Sequence, residues 1–299
     1  MISEAPGKRP FYKYASAETT LAVLENRTVR YSSPLQFNDP FDLQHGLHFD
    51  FDINELHQKV VDRINELAAL PSSPKVEHDD VWGQVVLTAH KHYPTHGFDK
   101  KAWLRMTADP FRALVCQIQD TQKQYQLHWQ RLLPSIKVFC VTEERDHLLM
   151  WAHYAKDHTG AVFELWSLPE ADNPLSVARR VEYQDTPPVF FTEKEWIDDL
   201  TGVGQIDTNE LYRRYAYIKS THWSYEREWR VWYPYSHSTG PYDPVPLGQS
   251  EFAALYFGCR ADPDFVSKAT DLMRLSFPNS RAFKAHRKER EYALEYAEI

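Results

Sequence analysis

Two glutamates, Glu226 and Glu228, stand one residue apart in the aromatic and basic segment WSYEREWRVWY at positions 223–233. If this segment is one extended strand, both side chains point to the same face, about 7 Å apart. In a pocket, two such carboxylates acquire different pKa values, so that one serves as an acid while the other stabilises positive charge. The alternative is a solvent-exposed strand face on which Glu228 and Arg230 pair with neighbouring strands. The spacing alone leaves both interpretations open.

A second candidate site lies in the segment DHLLMWAHYAKDH at positions 146–158, which is predicted to be a helix capped by Asp146. Four side chains recur at helical spacing on one flank: His147, Trp151, Tyr154 and His158. Aromatic and imidazole rings stack on flat ligands and form hydrogen bonds at their tips, so this stripe suits a nucleobase or a nicotinamide ring. A half-buried helix flank with two surface histidines explains the same pattern.

Several common catalytic motifs are absent from the sequence. It contains no Walker A phosphate loop, no GxGxxG, no GxSxG and no HExxH. His153 and His158 are five residues apart, so they do not share the helix face that a metal-binding pair at i and i+4 uses. The three cysteines are widely spaced and form no CxxC pair, which supports neither a disulfide framework nor a zinc knuckle. The sequence therefore predicts no metal site.

The composition is that of an ordinary globular protein, and it restricts the partners. Of the 299 residues, 42% are hydrophobic, which is enough to bury a sizeable core. The formal net charge of -8 argues against sequence-independent binding to phosphate backbones, which needs clustered Lys and Arg. No apolar run approaches the roughly 18 residues of a membrane span, and the N-terminus lacks the apolar core of a secretion signal. We therefore expect a cytoplasmic protein without a membrane segment.

The N-terminal region predicts a strand, a helix and a second strand. Ser16 is placed to cap the helix, and Asn26 is placed to end it. The next segment, FNDPFD at positions 37–42, predicts a turn, because proline and the Asx side chains favour turns. A compact α/β start is therefore expected.

From about residue 52 to 133 the pattern changes to amphipathic helices. Strand patterns return near residue 135, and after residue 160 the strands are separated by loops rather than regular helices, except for one helix that Asp262 caps. This order predicts an α+β fold with a mixed, largely antiparallel sheet. We interpret residues 1–299 as a single domain in which residues 52–133 form a helical insertion.

Four stretches of the chain share the pattern of one bacterial family. They are YKY with a short helix and RYSSPLQFNDPFD at 12–42, FCVTEERDHLLMWAHYAKDHTGAVFEL at 139–165, SYEREWR at 224–230 and LYFGCRA at 255–261. On these stretches the chain resembles the bacterial family catalogued as domain of unknown function 2971. The resemblance covers most of the chain outside the helical insertion. It implies an arrangement similar to the ADP-ribosyltransferase-like fold, a split, mostly antiparallel sheet that holds NAD in a cleft.

The resemblance also implies roles for individual residues. The first strand and a middle strand with its following segment would surround NAD as substrate through Tyr12, Lys13, Tyr14, Thr142, Trp151, His153 and Tyr154. A later strand supplies the decisive glutamate, which corresponds to Glu228. The sequence EREW resembles the E-x-E element of arginine-modifying members, in which Glu226 faces the substrate. The chain departs from the family pattern because it has no Ser-Thr-Ser triplet and has Tyr-Lys-Tyr in place of an Arg or His in the first strand.

Three functions are consistent with these residues. The first is an intracellular enzyme that cleaves NAD or transfers ADP-ribose to a protein or nucleic acid, as a toxin or defence effector, with Glu228 stabilising the positive charge on the ribose. The second is a binding module whose aromatic cleft recognises a nucleotide or a nucleic-acid base without chemistry. The third is a nuclease-like effector in which Asp39, Asp42 and Glu228 hold Mg²⁺. We rank them in this order.

Overall fold

The computed structural model of the chain describes residues 7–76, 81–204, 207–233 and 236–299. In chain order, the strands are β1 (Arg9–Ala15), β2 (Thr28–Ser32), β3 (His48–Asp50), β4 (Lys137–Thr142), β5 (Ala161–Ser167), β6 (Arg179–Arg180), β7 (Glu182–Gln184), β8 (Val189–Thr192), β9 (Ile218–Ser220), β10 (Glu228–Tyr233), β11 (Tyr242–Pro246), β12 (Phe252–Phe257), β13 (Arg281–Arg287) and β14 (Leu294–Glu298). The α-helices are α1 (Ala17–Asn26), α2 (Ile53–Ala68), α3 (Val81–His96), α4 (Lys100–Met106), α5 (Ala108–Leu132), α6 (Leu148–Tyr154), α7 (Glu193–Leu200), α8 (Thr208–Ala216) and α9 (Pro263–Ser276).

The chain divides into two compact units. The first comprises Met1–His45, Leu132–Thr186 and Tyr217–Ile299. The second comprises Gly46–Arg131 and Pro187–Ala216. Most of the predicted insertion, residues 52–133, therefore lies in the second unit together with residues 187–216.

The first unit is built on a large open sheet with the strand order β11-β2-β4-β1-β5-β12-β13-β14. Strand β10 pairs with β4 and with the short strand β6. Neighbouring strands are antiparallel except for β12 and β13, which are parallel. The predicted α+β class with a mixed, largely antiparallel sheet is confirmed.

Strand β4 pairs with three other strands. One of its edges pairs with β10 along the whole strand, from Glu228 opposite Thr142 to Tyr233 opposite Lys137. Its other edge is shared between two strands, because Thr142 pairs with Tyr12 of β1 while Val138 pairs with Ser32 of β2. Strands β1 and β2 therefore meet β4 at its two ends and leave its middle, around residue 140, open to side chains.

The two faces of this sheet carry different residues, because successive side chains of a strand point to opposite faces. On one face Phe11, Phe139 and Phe163 form a core that includes residues of α1 and α9. On the opposite face Tyr14 and Trp151 pack in a smaller cluster with residues of β5, β12 and α6. In β4, residues 140 and 142 alternate with core residues, so they belong to this second face.

Side-chain caps mark the beginnings of α1 and α9, the two helices that contribute to the first core. The Ser16 hydroxyl accepts a hydrogen bond from Thr19 N at 3.2 Å, and α1 ends at Asn26 before Arg27 adopts a left-handed conformation. Asp262 caps α9 by accepting from Asp264 N at 2.9 Å. Both predicted caps are confirmed.

The predicted helix at 146–158 is shorter than expected. Helix α6 covers only Leu148–Tyr154, and Asp146 does not cap it, because its carboxylate accepts two hydrogen bonds from Arg145 at 2.7 and 3.0 Å. Residues 156–158 have positive φ angles of 47°, 58° and 64°, so they cannot continue a right-handed helix. The predicted cap and the extension of the aromatic stripe to His158 along one helix are therefore wrong.

The predicted strand at 223–233 is also shorter. Residues Thr221–Glu226 form a 3₁₀ helix, Arg227 has a φ of 43°, and β10 begins at Glu228. A tertiary contact fixes this arrangement, because the Thr142 hydroxyl donates to the Glu226 carbonyl at 2.5 Å. Glu226 and Glu228 therefore do not share one strand face through simple alternation.

The second unit is mostly helical. The amphipathic pattern between residues 52 and 133 corresponds to α2 to α5, and the short strands β3 and β8 pair in parallel. Helices α7 and α8 occupy a region in which loops were expected, so that expectation is wrong. Helix α7 begins with a capping box in which Thr192 and Glu195 each accept from the other's backbone N–H. Across the described parts of the chain, no helix combines the length and apolar composition needed to cross a membrane.

Candidate functional site

A cavity of about 330 Å³ opens on the second face of the sheet in the first unit. Eight of the nine side chains selected from the sequence line it: Tyr12, Lys13, Tyr14, Thr142, His153, Tyr154, Glu226 and Glu228. The floor includes Cys140 of β4, and the segment 36–38 contributes to the lining. The volume lies near the lower end of the range for small-molecule sites, about 300–1,000 Å³. The structure thus gathers residues that are more than 200 positions apart in the sequence.

Trp151 is the exception among the selected residues. It is fully buried, its ring lies edge-on to Tyr14 and stacks on His158, and its indole N–H donates to the Arg145 carbonyl at 3.0 Å. Neither ring face is available to a ligand. Trp151 therefore packs behind the wall of the cavity, and its ring is not exposed to the cavity as the aromatic stripe predicted.

A buried lysine holds the two glutamates together. The Lys219 ammonium donates to Glu226 Oε2 at 2.5 Å and to Glu228 Oε2 at 2.9 Å. Glu226 is 3% exposed and Glu228 is 4% exposed. Burial would lower the pKa of Lys219, but Glu228 and Asp42 outweigh it and raise that pKa, so the amine stays charged. The interpretation of a solvent-exposed strand face is therefore wrong.

A buried arginine extends this group to the FNDPFD turn. The Arg230 guanidinium donates from Nε to Glu228 Oε1 at 2.7 Å and from Nη2 to Asp42 Oδ2 at 2.5 Å. Lys219 Nζ lies 3.6 Å from the same Asp42 oxygen. Asp42 Oδ1 is buried and has no hydrogen-bond partner among the described residues. Three carboxylates therefore face two cations, and we call these five residues the acidic wall.

Burial and charge push the pKa values of the three carboxyls in different directions. Burial would raise the pKa of Glu228, but Arg230 and Lys219 outweigh it and hold that pKa well below its ordinary value. The pKa of Glu226 is raised, because burial and the Glu228 charge outweigh the single Lys219 ammonium. Burial also raises the pKa of Asp42, and Arg230 offsets this only in part. Glu228 is therefore the firmly ionised member, while Glu226 and Asp42 accept a proton more readily.

The hydroxyl groups near the acidic wall have distinct tasks. The Tyr154 hydroxyl of α6 donates to Glu226 Oε1 at 2.5 Å, which fixes the direction of that carboxylate. Burial, followed by the Glu226 charge, raises the pKa of Tyr154, so this hydroxyl keeps its proton. The Thr142 hydroxyl donates to the Glu226 carbonyl and accepts from Glu144 N at 2.9 Å. Thr142 thus positions the backbone of Glu226, whereas Tyr154 positions its carboxylate.

The first strand contributes one buried and two half-buried side chains. Tyr14 is buried, and its hydroxyl donates to the carbonyls of Glu144 and Arg145 at 2.9 and 2.5 Å. Lys13 Nζ donates to the Cys140 carbonyl at 2.8 Å, in the gap between β1 and β2. Burial raises the pKa of Tyr12, which is half-buried. All three side chains line the cavity, and the Tyr14 hydroxyl is already bonded to backbone carbonyls.

The residues placed in the metal hypothesis do not form a metal site. Asp39 uses Oδ1 to accept from Phe41 N at 2.8 Å within its own turn, and it does not line the cavity. Asp42 and Glu228 are both bonded to Arg230. Within the described residues, no group of three or more His, Cys, Asp or Glu side chains is arranged to hold a metal ion. The donor set therefore fits cations of the protein rather than Mg²⁺.

A second depression lies in the other unit, between α5 and α8. Its volume is about 810 Å³, and its lining includes Gln117, Gln124, His128 and Arg131 along one face of α5. These side chains are exposed and form no buried charge cluster. The buried charged groups described above therefore belong to the cavity of the first unit, although the other depression is larger.

Sequence reasoning missed several members of the site. Lys219 carries no local signal, because it stands in the ordinary strand β9. Asp42 entered only the metal hypothesis, and Arg230 was noted only as a partner on an exposed face. The FNDPFD turn was the one local pattern that drew attention to Asp42, and it did not indicate that this carboxylate is buried.

Comparison with known families matches a segment that contains four of the five residues of the acidic wall. Residues 150–231 match a family described as "Protein of unknown function (DUF2971)". The matched segment contains Tyr154, Lys219, Glu226, Glu228 and Arg230, whereas Tyr12, Lys13, Tyr14, Asp42 and Thr142 lie outside it. No curated protein and no solved structure gives a significant match to the chain. The similarity therefore supports the unknown-function family and leaves the activity to be argued from the site.

Proposed function

We propose that the first unit binds a nucleotide in this cavity and cleaves its glycosidic bond, with NAD as the substrate to test first. ADP-ribosyl transfer to a protein or nucleic-acid acceptor is the wider activity of the same chemistry. In the hydrolytic form, the bond between nicotinamide and C1′ of the ribose breaks, and its electron pair leaves with nicotinamide. Water bonds to C1′ and releases a proton, so the products are ADP-ribose, nicotinamide and H⁺.

The observation that carries this proposal is the position of Glu226. Its carboxylate is on the wall of a cavity that also contains Tyr12 and Tyr154, and it belongs to a group with one more carboxylate than cations. Breaking the bond to nicotinamide builds positive charge on the ribose. A fixed carboxylate beside the ribose stabilises this charge more than it stabilises the substrate, which lowers the barrier.

The contacts favour Glu226 over Glu228 as the carboxylate that faces the ribose. Both Glu228 oxygens accept from cationic donors, namely Arg230 and Lys219. Glu226 has one oxygen on Lys219 and the other on the neutral Tyr154 hydroxyl. A carboxylate that is neutralised by two cations contributes less to stabilising a new positive charge. We therefore assign the charge-stabilising role to Glu226 and a positioning role to Glu228, which differs from the sequence-based expectation.

We also propose that the sheet corresponds to the split sheet of ADP-ribosyltransferase-like folds. The support is the edge of β4 that is shared between β1 and β2, with Lys13 bonded to the Cys140 carbonyl in the gap. The cavity opens at this point of the sheet. A ligand of nucleoside size suits its volume of about 330 Å³.

The direct test is nicotinamide release from NAD by the purified chain, measured by chromatography and mass spectrometry. The wild type should release nicotinamide and ADP-ribose, and Glu226→Gln should lose at least about a hundredfold in rate, as for removal of one oriented catalytic group elsewhere. Glu182→Gln is the matched control, because Glu182 is exposed on β7 in the same unit and does not line the cavity. Absence of release by the wild type, with and without cell extract as the source of an acceptor, would remove the proposal.

One observation favours a second candidate, a nucleotide-binding module without chemistry. The Glu228 carboxylate is fully bonded to protein cations, as expected for a rigid recognition surface. This candidate predicts that nucleotides raise the thermal unfolding midpoint while mass spectrometry detects no product.

A further inference from the structure

We infer that the cavity takes a dipolar ligand, with an anionic group at Lys13 and Arg30 and a positively charged, N–H-bearing group at the acidic wall. This inference deepens the proposed function, on which it rests for the identity of the ligand. It adds Arg30 and Asp42 to the site as specificity-determining residues.

The basic side of the cavity consists of two cations on neighbouring strands. Lys13 Nζ uses one of its three N–H groups on the Cys140 carbonyl. The Arg30 side chain is exposed at the cavity, and its guanidinium carbon lies 4.7 Å from the centre of the Tyr242 ring. In the part of the chain that the structure describes, no carboxylate forms a salt bridge with either cation. Both charges are therefore available to a phosphate or carboxylate of a ligand.

The opposite side of the cavity has the reverse character. Asp42, Glu226 and Glu228 line it, and when all three are ionised their two cationic partners among the described residues leave one negative charge unbalanced. Asp42 is 3% exposed, and no described group donates to its Oδ1. A buried carboxylate oxygen without a donor is costly, so a ligand N–H at this wall is favoured.

Strand geometry sets the distance between the two sides. Arg230 of the acidic wall is opposite Cys140 of β4, and the far edge of β4 meets Ser32 of β2. Neighbouring strands are about 4.8 Å apart, so β10 and β2, the strand of Arg30, are separated by about 10 Å across the floor. Lys13 lies between them, because its ammonium is bonded to the Cys140 carbonyl of β4. A ligand that joins Arg30 to the acidic wall therefore needs opposite charges separated by roughly the length of a mononucleotide.

This charge pattern selects among nucleotides. A pyridinium carboxamide carries a positive ring and amide N–H donors, and its mononucleotide adds a phosphate at the other end. Reduction of the ring removes the positive charge, while removal of the phosphate removes the anionic group that would bind Lys13 and Arg30. The expected order of affinity is therefore oxidised mononucleotide above both its reduced form and its riboside.

Isothermal titration of the full chain with nicotinamide mononucleotide, its reduced form and nicotinamide riboside tests the inference. We expect each loss of charge to weaken binding about tenfold or more, equivalent to about 1.4 kcal/mol. Equal affinity for all three ligands would overturn the inference, and so would absence of binding by all three. These wild-type comparisons do not depend on the folding of any variant.

Two substitutions connect each ligand charge with a residue. Arg30→Gln should weaken the mononucleotide about tenfold and leave the riboside unchanged, whereas Arg281→Gln, an exposed strand arginine over the Phe283 ring, should change neither. Asp42→Asn should reduce the preference for the oxidised over the reduced ring, whereas Asp39→Asn in the same turn should keep it. An unchanged preference in folded Asp42→Asn would contradict the assignment of Asp42.

The nicotinamide-release assay and the titration test the enzymatic activity and the dipolar ligand separately. Nicotinamide release from NAD without charge-dependent binding preserves the enzymatic proposal and removes the dipolar ligand. Charge-dependent binding of the mononucleotide without any release preserves the dipolar ligand and removes the chemistry.

Discussion

The Tyr154 hydroxyl donates to Glu226 Oε1 at 2.5 Å, and this contact joins helix α6 to the 3₁₀ helix before β10. It sets the direction of the carboxylate that we assign to the ribose. The hydroxyl belongs to the cavity wall, whereas the backbone of Glu226 is held from the sheet by Thr142. Two independent elements therefore fix Glu226, one through its carboxylate and the other through its backbone carbonyl.

Tyr154→Phe tests this contact. The variant keeps the ring and removes the donor, so we expect a loss of about 1.5–3 kcal/mol in the free energy of unfolding, as for a hydrogen bond to a charged group. Without the donor, the pKa of Glu226 should rise further. If Glu226 acts as an ionised carboxylate, the pH–rate profile of the variant should shift to higher pH, which a purely structural tyrosine would not cause.

Lys219→Met should strongly destabilise the first unit. The ammonium is buried against Glu226, Glu228 and Asp42, and its removal leaves these carboxylates with one cation fewer. Removal of one partner from a buried charge group costs about 3–5 kcal/mol. Lys288→Met is the matched control, because Lys288 forms an exposed pair with Glu291 and should change stability by less than about 1 kcal/mol. Urea denaturation measures both, and similar small losses would contradict the buried network.

The two glutamates should respond oppositely to pH. A carboxyl whose pKa is lowered in the folded state stabilises the fold above its ordinary value, 4.5 for Glu228, and this contribution is lost as the pH falls. Glu228→Gln should therefore be less stable than the wild type at pH 7, and the difference should shrink below pH 4.5. The pKa of Glu226 is raised, so its contribution is present below pH 4.5 and is lost as the pH rises.

Accordingly, the stability of Glu226→Gln relative to the wild type should increase between pH 4.5 and 7. Thermal or urea unfolding of both variants across this range supplies the comparison. Parallel pH dependences of Glu226→Gln and Glu228→Gln would show that the acidic wall does not divide its charge as the contacts indicate.

Cys140 should be an unreactive thiol despite its place in the cavity floor. Burial and the nearby Glu228 charge raise its pKa, so little thiolate forms at neutral pH. Cys116 is exposed. Iodoacetamide should therefore modify Cys116 first, and Cys140 should react readily only after denaturation, as followed by peptide mass spectrometry. Equal rates in the folded protein would contradict the burial of the floor.

Local sequence signals predicted many of the helices and strands of the first unit, but they did not predict the details of the site. Ser16 and Asp262 were correctly placed as caps, because capping depends on the side chain and the next three residues. The predicted start of β10 was wrong. Arg227 adopts a left-handed conformation next to Glu226, whose carbonyl is bonded to the distant Thr142 hydroxyl. A period-two pattern does not reveal such a break.

The buried network was hidden for a related reason. Lys219 and Asp42 become partners of Glu228 only when β9, the FNDPFD turn and β10 come together in the fold. No spacing in the sequence indicates that these residues are in contact. Asp146 shows the same limit, because the sequence places it as a cap while the adjacent Arg145 binds its carboxylate instead.

The rate of nicotinamide release from NAD by the wild type, Glu226→Gln and Glu182→Gln under identical conditions is the most direct test of the proposed role of Glu226. We expect release by the wild type and by Glu182→Gln, with a loss of at least about a hundredfold in a folded Glu226→Gln protein. Equal release by all three proteins, or none by the wild type, would contradict this role.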